Sequence, residues 1–107
     1  GMYATTKAAL SHFCRNLALE IAPYQVRLNI VSPGSTHTQM QQQLWTDNAP
    51  PPAVIDGDLS QYRTGIPLRK LAQPDDIANT VSFLLSDRAA QITMQEIVVD
   101  GGATLGV

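Results

Sequence analysis

The sequence predicts an α/β fold in which a helix connects two parallel strands of a doubly wound sheet. Three observations carry this: two segments with helical apolar periodicity, two short β-favouring runs, and their order of helix, strand, short helix, helix, strand. From Ala4 to about Ala22 the apolar positions Leu10, Phe13, Leu17 and Ile21 recur every three or four residues, with Ser11, Arg15, Asn16 and Glu20 between them. That spacing predicts an amphipathic helix, and Pro23 ends it. Val26 to Val31 follows as a buried strand with Val26, Leu28 and Ile30 on one face, stopping at Ser32-Pro33-Gly34. Thr38 and Gln41 have capping-box spacing, and Met40 pairs with Leu44 one turn on, so a short helix is predicted there. Residues 46–62, with Pro50-Pro51-Pro52 and Gly57, read as a long loop.

Regular structure resumes at Pro74, suited to a first helical position, with Asp75 and Asp76 placed at the positive helix end. Ile77, Val81, Leu84 and Leu85 form the apolar stripe of this second helix, which ends near Ser86. Ile97-Val98-Val99 is the closing strand, cut off by Asp100-Gly101-Gly102. A strand-helix-strand unit of this kind closes as a right-handed parallel crossover. Two parallel strands normally lie within a larger sheet covered on both faces, so the strand at 26–31 is expected to want a further neighbour.

Composition narrows the function classes. At 107 residues the chain is one small domain or part of one. A net charge of −2 provides no basic field for a nucleic-acid backbone, so no nucleic-acid partner is expected. No apolar run reaches the length of a membrane span, so no membrane partner is expected either. The single Cys14 forms no internal disulfide, which points to the cytoplasm. His12 and His37 have no partners at metal-ligand spacing, so no metal is expected; they read as helix-surface and loop polarity, and Cys14 as small core filling.

Tyr3 and Lys7 stand four residues apart at the start of the first helix, which puts them on one face. Taken alone the pair also suits an exposed helix start. The run Tyr3-Ala-Thr-Thr-Lys7-Ala-Ala, then Val26-Arg-Leu-Asn-Ile-Val-Ser-Pro33-Gly34, Thr38, Ile66-Pro67-Leu68, Pro74-x-x-Ile77-Ala78 and Val99-Asp100-Gly101-Gly102 resembles, in order and spacing, the later motifs of short-chain dehydrogenases/reductases. The resemblance covers nearly the whole chain and implies the C-terminal portion of a Rossmann-like domain spanning residues 1–107, with residues 46–65 as substrate loop.

By that resemblance Tyr3 is the general acid/base, and Lys7 holds the nicotinamide ribose and favours the phenolate. A phenol near pKa 10 is a poor base at neutral pH. Bringing it near 7 takes about 4 kcal/mol of preferential stabilisation of the anion, within reach of an ammonium and an oxidised nicotinamide together. Pro33, Gly34, Thr36 and Thr38 fall in the turn beyond the strand, where ligands bind in open α/β sheets, and the resemblance assigns them cofactor contacts. Thr38 equally suits a plain helix N-cap. The cofactor implied is NAD.

A narrower resemblance within the family rests on Thr36-x-Thr38-x-Met40-Gln41-x-x-Leu44-Trp45, Gly65-Ile66-Pro67-Leu68 and the closing Val99 to Val107. It points to a branch that oxidises a cyclohexadiene diol carboxylate to a catechol acid used in catecholate siderophores. Met40, Leu44 and Trp45 would line a slot for the flat ring, or Met40 and Leu44 would merely dock the short helix. Gln41 would bond a hydroxyl or carboxylate, and Arg63 is the candidate cation for the carboxylate.

The family's glycine-rich dinucleotide loop, its NAD/NADP-selecting residue and its substrate-binding serine lie upstream of the tyrosine and have no counterpart here. The N-terminal dinucleotide-binding half is thus expected to be absent, and the 107-residue piece alone inactive. Two readings follow: part of an oxidoreductase that forms a homo-oligomer, expected to be a tetramer, or a non-catalytic remnant acting as an association module. Within the first, another dihydrodiol dehydrogenase or a 3-oxoacyl reductase is the alternative.

Overall fold

The computed structural model describes residues 1–34, 55–57 and 65–104, with the side chain of Tyr3 outside that description. The elements run α1 (Met2–Ile21), a 3-10 turn Ala22–Tyr24, β1 (Ile30–Pro33), α2 (Pro74–Leu85), a 3-10 turn Asp87–Ala89 and β2 (Glu96–Val99). The fold is α/β with a small parallel sheet, as expected. Among the described residues the sheet has two strands, ordered β1-β2. Its parallel sense shows in the bonds at its two ends, Ile30 N–H to Gln95 O at 2.8 Å and Gly34 N–H to Val99 O at 3.0 Å. The predicted short helix at Thr38 to Gln41, His37 and most of the predicted 46–62 loop lie outside the described residues.

The chain gathers into two compact units, one of residues 1–31 and 81–97, the other of residues 32–80 and 98–107. In the first, the buried face of α1 follows its predicted apolar stripe only in part. Ala18 is fully buried, Ser11, Cys14, Leu17 and Ile21 are half-buried, and Leu10 and Phe13 face outward, Phe13 at 62% exposure. Small side chains let the helix approach closely: Ser11, Cys14, Leu28, Ile30 and Met94 line a gap of only about 10 Å³. Pro23 is absorbed into the 3-10 turn that follows the helix, with Gln25 left-handed at φ 62°.

The first strand begins later than predicted, at Ile30, and extends through Pro33. Residues 27–29 are held by one backbone bond, Met94 N–H to Leu28 O at 2.8 Å, and otherwise by side chains. Arg27 Nη1 donates to Leu84 O at 2.6 Å, the Leu28 N–H to Thr93 Oγ1 at 3.1 Å, and Asn29 Nδ2 to Ile92 O at 3.0 Å while Asn29 Oδ1 accepts from the Gln95 N–H. This segment is also less buried than a core strand would be: Val26 is exposed, and Leu28 and Ile30 are half-buried.

Pro74 opens α2 as expected, and Asp76 reaches back to accept from the Gln73 N–H at 2.7 Å, ahead of the first turn. The inward face runs through Ile77, Thr80 and Leu84; Leu85 is 78% exposed, contrary to the predicted stripe. In β2, Ile97 and Val99 are half-buried and Glu96 and Val98 exposed, the alternation of a strand with one covered face.

In the second unit Gly65, at φ +79°, crosses residues 55–57 so closely that a Cβ there would lie 2.5 Å from their backbone. Beside the crossing, the Ile66 N–H donates to Ile55 O at 2.6 Å. An exposed ion pair, Arg69 to Asp56 at 2.9 Å, lies alongside. Among the described residues of this unit, Ile66 and Leu71 are the buried apolar ones. Among the described residues no helix is long and apolar enough to cross a membrane.

Candidate functional site

Tyr3 and Lys7 both fall in the first turns of α1, four residues apart on one helix face. Thr5 Oγ1 donates to Gly1 O and Thr6 Oγ1 to Met2 O, so the intervening hydroxyls bond back along the helix. Lys7 is exposed, and its ammonium is open to a ligand or a neighbouring anion.

The second site segment is the carboxyl end of β1. Since Ile30 and Gly34 donate toward β2, Val31 and Pro33 point their amide positions to the other edge, where proline costs no ladder bond. Pro33 and Gly34 are both exposed, at the strand end where open α/β sheets bind ligands. Thr36, Thr38, Met40, Gln41, Leu44, Trp45 and Arg63 lie outside the described residues.

Gly34 has a further reason to be glycine. A Cβ there would lie 2.5 Å from Asp100 Cβ and 3.1 Å from Asp100 Cα, so the close approach is to another part of the chain. Asp100, 7% exposed, follows β2 directly. Its Oδ1 accepts from the Gly102 N–H at 2.8 Å, and its Oδ2 from the Thr104 N–H at 2.9 Å and Thr104 Oγ1 at 2.7 Å. The Thr104 hydroxyl, helped by these backbone donors, holds the carboxyl below its ordinary pKa of 3.8 against the opposing effect of burial. Residues 100–104 are therefore a hydrogen-bonded turn, packed on Ile66 and Leu68 through Gly101.

Arg27, Asn29, Thr93 and Asp100 are the polar residues whose work motif reading missed. The available signal was polarity at alternate positions of a strand-like run, Arg27 and Asn29, which a buried strand would not carry without partners. No group of three or more histidine, cysteine or acidic side chains suited to a metal occurs among the described residues.

A family model described as enoyl-(acyl carrier protein) reductase, of the short-chain dehydrogenase type, matches residues 1–104. Two curated relatives are similar over nearly all of this chain. The vibriobactin-specific 2,3-dihydro-2,3-dihydroxybenzoate dehydrogenase of Vibrio cholerae serotype O1 is 55% identical over 105 residues, covering 98% of this chain and 40% of the relative. The 2,3-dihydro-2,3-dihydroxybenzoate dehydrogenase of Bacillus subtilis is 56% identical with the same coverage. The chain therefore spans about 40% of the length of these relatives. Among solved structures, a 7α-hydroxysteroid dehydrogenase complexed with NADH and 7-oxo glycochenodeoxycholic acid is similar with TM-score 0.72 and 34% identity, over 94% of this chain and 36% of that one.

Proposed function

This chain belongs to the short-chain dehydrogenase/reductase family, and on that premise we propose that it is part of an NAD-dependent oxidoreductase converting 2,3-dihydro-2,3-dihydroxybenzoate to 2,3-dihydroxybenzoate. The observation that carries the reading is identity of 55% and 56% to two dehydrogenases of that name across 98% of the chain. The catechol acid would serve catecholate siderophore assembly, in the cytoplasm. The enzyme would be a homo-oligomer, expected to be a tetramer, and residues 1–107 part of its single Rossmann-like domain.

Tyr3 acts as general base, accepting the proton of the substrate hydroxyl as the carbon bearing that hydroxyl loses hydride. NAD, when bound, supplies the hydride acceptor. Lys7, one helical turn from Tyr3, holds the ribose hydroxyls and stabilises the phenolate through its ammonium. Pro33, Gly34, Thr36 and Thr38 contact the nicotinamide from the turn after β1. Met40, Leu44 and Trp45 line the ring slot, with Gln41 and Arg63 addressing the hydroxyl and carboxylate. The ring ketone left by oxidation tautomerises to the aromatic diol, and aromatisation draws the reaction forward.

The test is an assay of the full-length protein with NAD and 2,3-dihydro-2,3-dihydroxybenzoate, following the fluorescence of the catechol acid. A fluorescence rise matched by NADH formation is expected. Absence of both, with turnover on another dihydrodiol or a 3-oxoacyl thioester, would reassign the substrate within the family. No turnover on any of these would favour the non-catalytic association module.

A further inference from the structure

We infer that Asp100 is a positioning residue for Gly34, coupling the end of β1 to the 101–104 turn after β2. The inference rests on the proposed role of Gly34 in meeting the nicotinamide. Two sets of contacts meet at Asp100. Its main chain and Cβ lie against Gly34, where a side chain on residue 34 would come within 2.5 Å, and the preceding Val99 O accepts the Gly34 N–H at 3.0 Å. Its carboxylate accepts three bonds, from the Gly102 N–H, the Thr104 N–H and the Thr104 hydroxyl.

The same turn is tied to a third segment, since Gly101 O accepts the Leu68 N–H at 3.1 Å and Gly101, at φ +65°, leaves no room for a side chain beside Ile66. Asp100 therefore cannot shift without moving either the backbone under Gly34 or the 101–104 turn. A carboxylate with two acceptor oxygens fits three donors; an amide would turn an NH2 group toward at least one of them. Replacing the carboxylate should let Asp100 relax and carry Gly34 with it, weakening cofactor binding while leaving proton transfer by the α1 pair intact.

The experiment uses the full-length enzyme with Asp100→Asn, Thr104→Val and Thr104→Ser. NADH affinity is measured by fluorescence titration without substrate, and KM for NAD, kcat at saturating NAD and thermal midpoint are measured alongside. Asp100→Asn and Thr104→Val should weaken NADH binding and raise KM for NAD by about tenfold, the scale of one lost charge-assisted bond, with kcat within about twofold of wild type. Thr104→Ser, which keeps the hydroxyl, should retain wild-type affinity.

A lowered thermal midpoint with unchanged NADH affinity would reduce Asp100 to a cap of the terminal turn and overturn the inference. Equal loss in Thr104→Ser and Thr104→Val would overturn it too, since the hydroxyl bond would then be irrelevant. Thr104→Val keeps the test open should Asp100→Asn fail to fold. If wild type itself binds no NADH, the functional proposal fails and this inference with it; if wild type binds and Asp100→Asn binds equally, only this inference fails.

Discussion

Arg27→Met should destabilise the intact protein by about 2–3 kcal/mol. Arg27 Nη1 donates to Leu84 O at 2.6 Å and Nη2 to Ser86 O at 3.4 Å, both at the C-terminal end of α2. Leu84 O is one of the last carbonyls of that helix, which have no intrahelical donor, and α2 has no basic residue in its own last turn. Arg27 supplies from a distant segment the cation that the helix lacks. A hydrogen bond from a charged group contributes about 1.5–3 kcal/mol, and a cation at a helix C-terminus about 0.3–1 kcal/mol; the two overlap, and the 3.4 Å bond adds little. Methionine keeps most of the aliphatic stem, so the loss isolates the guanidinium. Urea denaturation with an unchanged slope would measure it. Arg27→Lys should lose less, because it keeps the charge without the two-pronged geometry. A change under about 0.5 kcal/mol in Arg27→Met would refute the reasoning and make Arg27 an ordinary solvated arginine.

Ala18→Leu should overpack the fully buried contact of α1 and cost about 1–3 kcal/mol by the same denaturation measurement, whereas Phe13→Ser on the exposed face should cost far less in a monomeric form. If the proposed tetramer uses that outward face, Phe13→Asp should yield smaller species in sedimentation velocity, with the wild-type assembly unchanged only if the face is free. Gly34→Ala should displace the end of β1, because the new Cβ falls 2.5 Å from Asp100 Cβ; a loss of about 1–3 kcal/mol together with weaker NADH binding is expected. The Asp100 carboxyl is held below its ordinary 3.8 in the folded state, so its contribution is fully present above that value and is lost as pH falls toward the folded pKa. Acid unfolding should therefore steepen below about pH 4 in wild type and flatten in Asp100→Asn.

Local signals located the elements better than their faces. Pro74 with Asp75 and Asp76 fixed the start of α2 because capping is decided within a few residues, and Pro23 marked the end of α1 for the same reason. The buried face of α1 was half legible, Leu17 and Ile21 turning inward as read but Leu10 and Phe13 not, because periodicity weights large apolar residues and passes over Ser11, Cys14 and Ala18. The late start of β1 was invisible because Leu28 and Asn29 bond to Thr93 and Ile92, 65 and 63 residues further along. For the proposed site, Tyr3 and Lys7 were legible as a motif at helical spacing. The contact of Asp100 with Gly34 was not, because only the fold creates it.

The most direct test of the account is Tyr3→Phe in the full-length enzyme, with NADH affinity and turnover of 2,3-dihydro-2,3-dihydroxybenzoate measured on the same preparation. Removing only the hydroxyl should abolish formation of the catechol acid while NADH binds as in wild type. Turnover retained in that variant would contradict the account, because the substrate proton would then leave by a route that does not involve Tyr3.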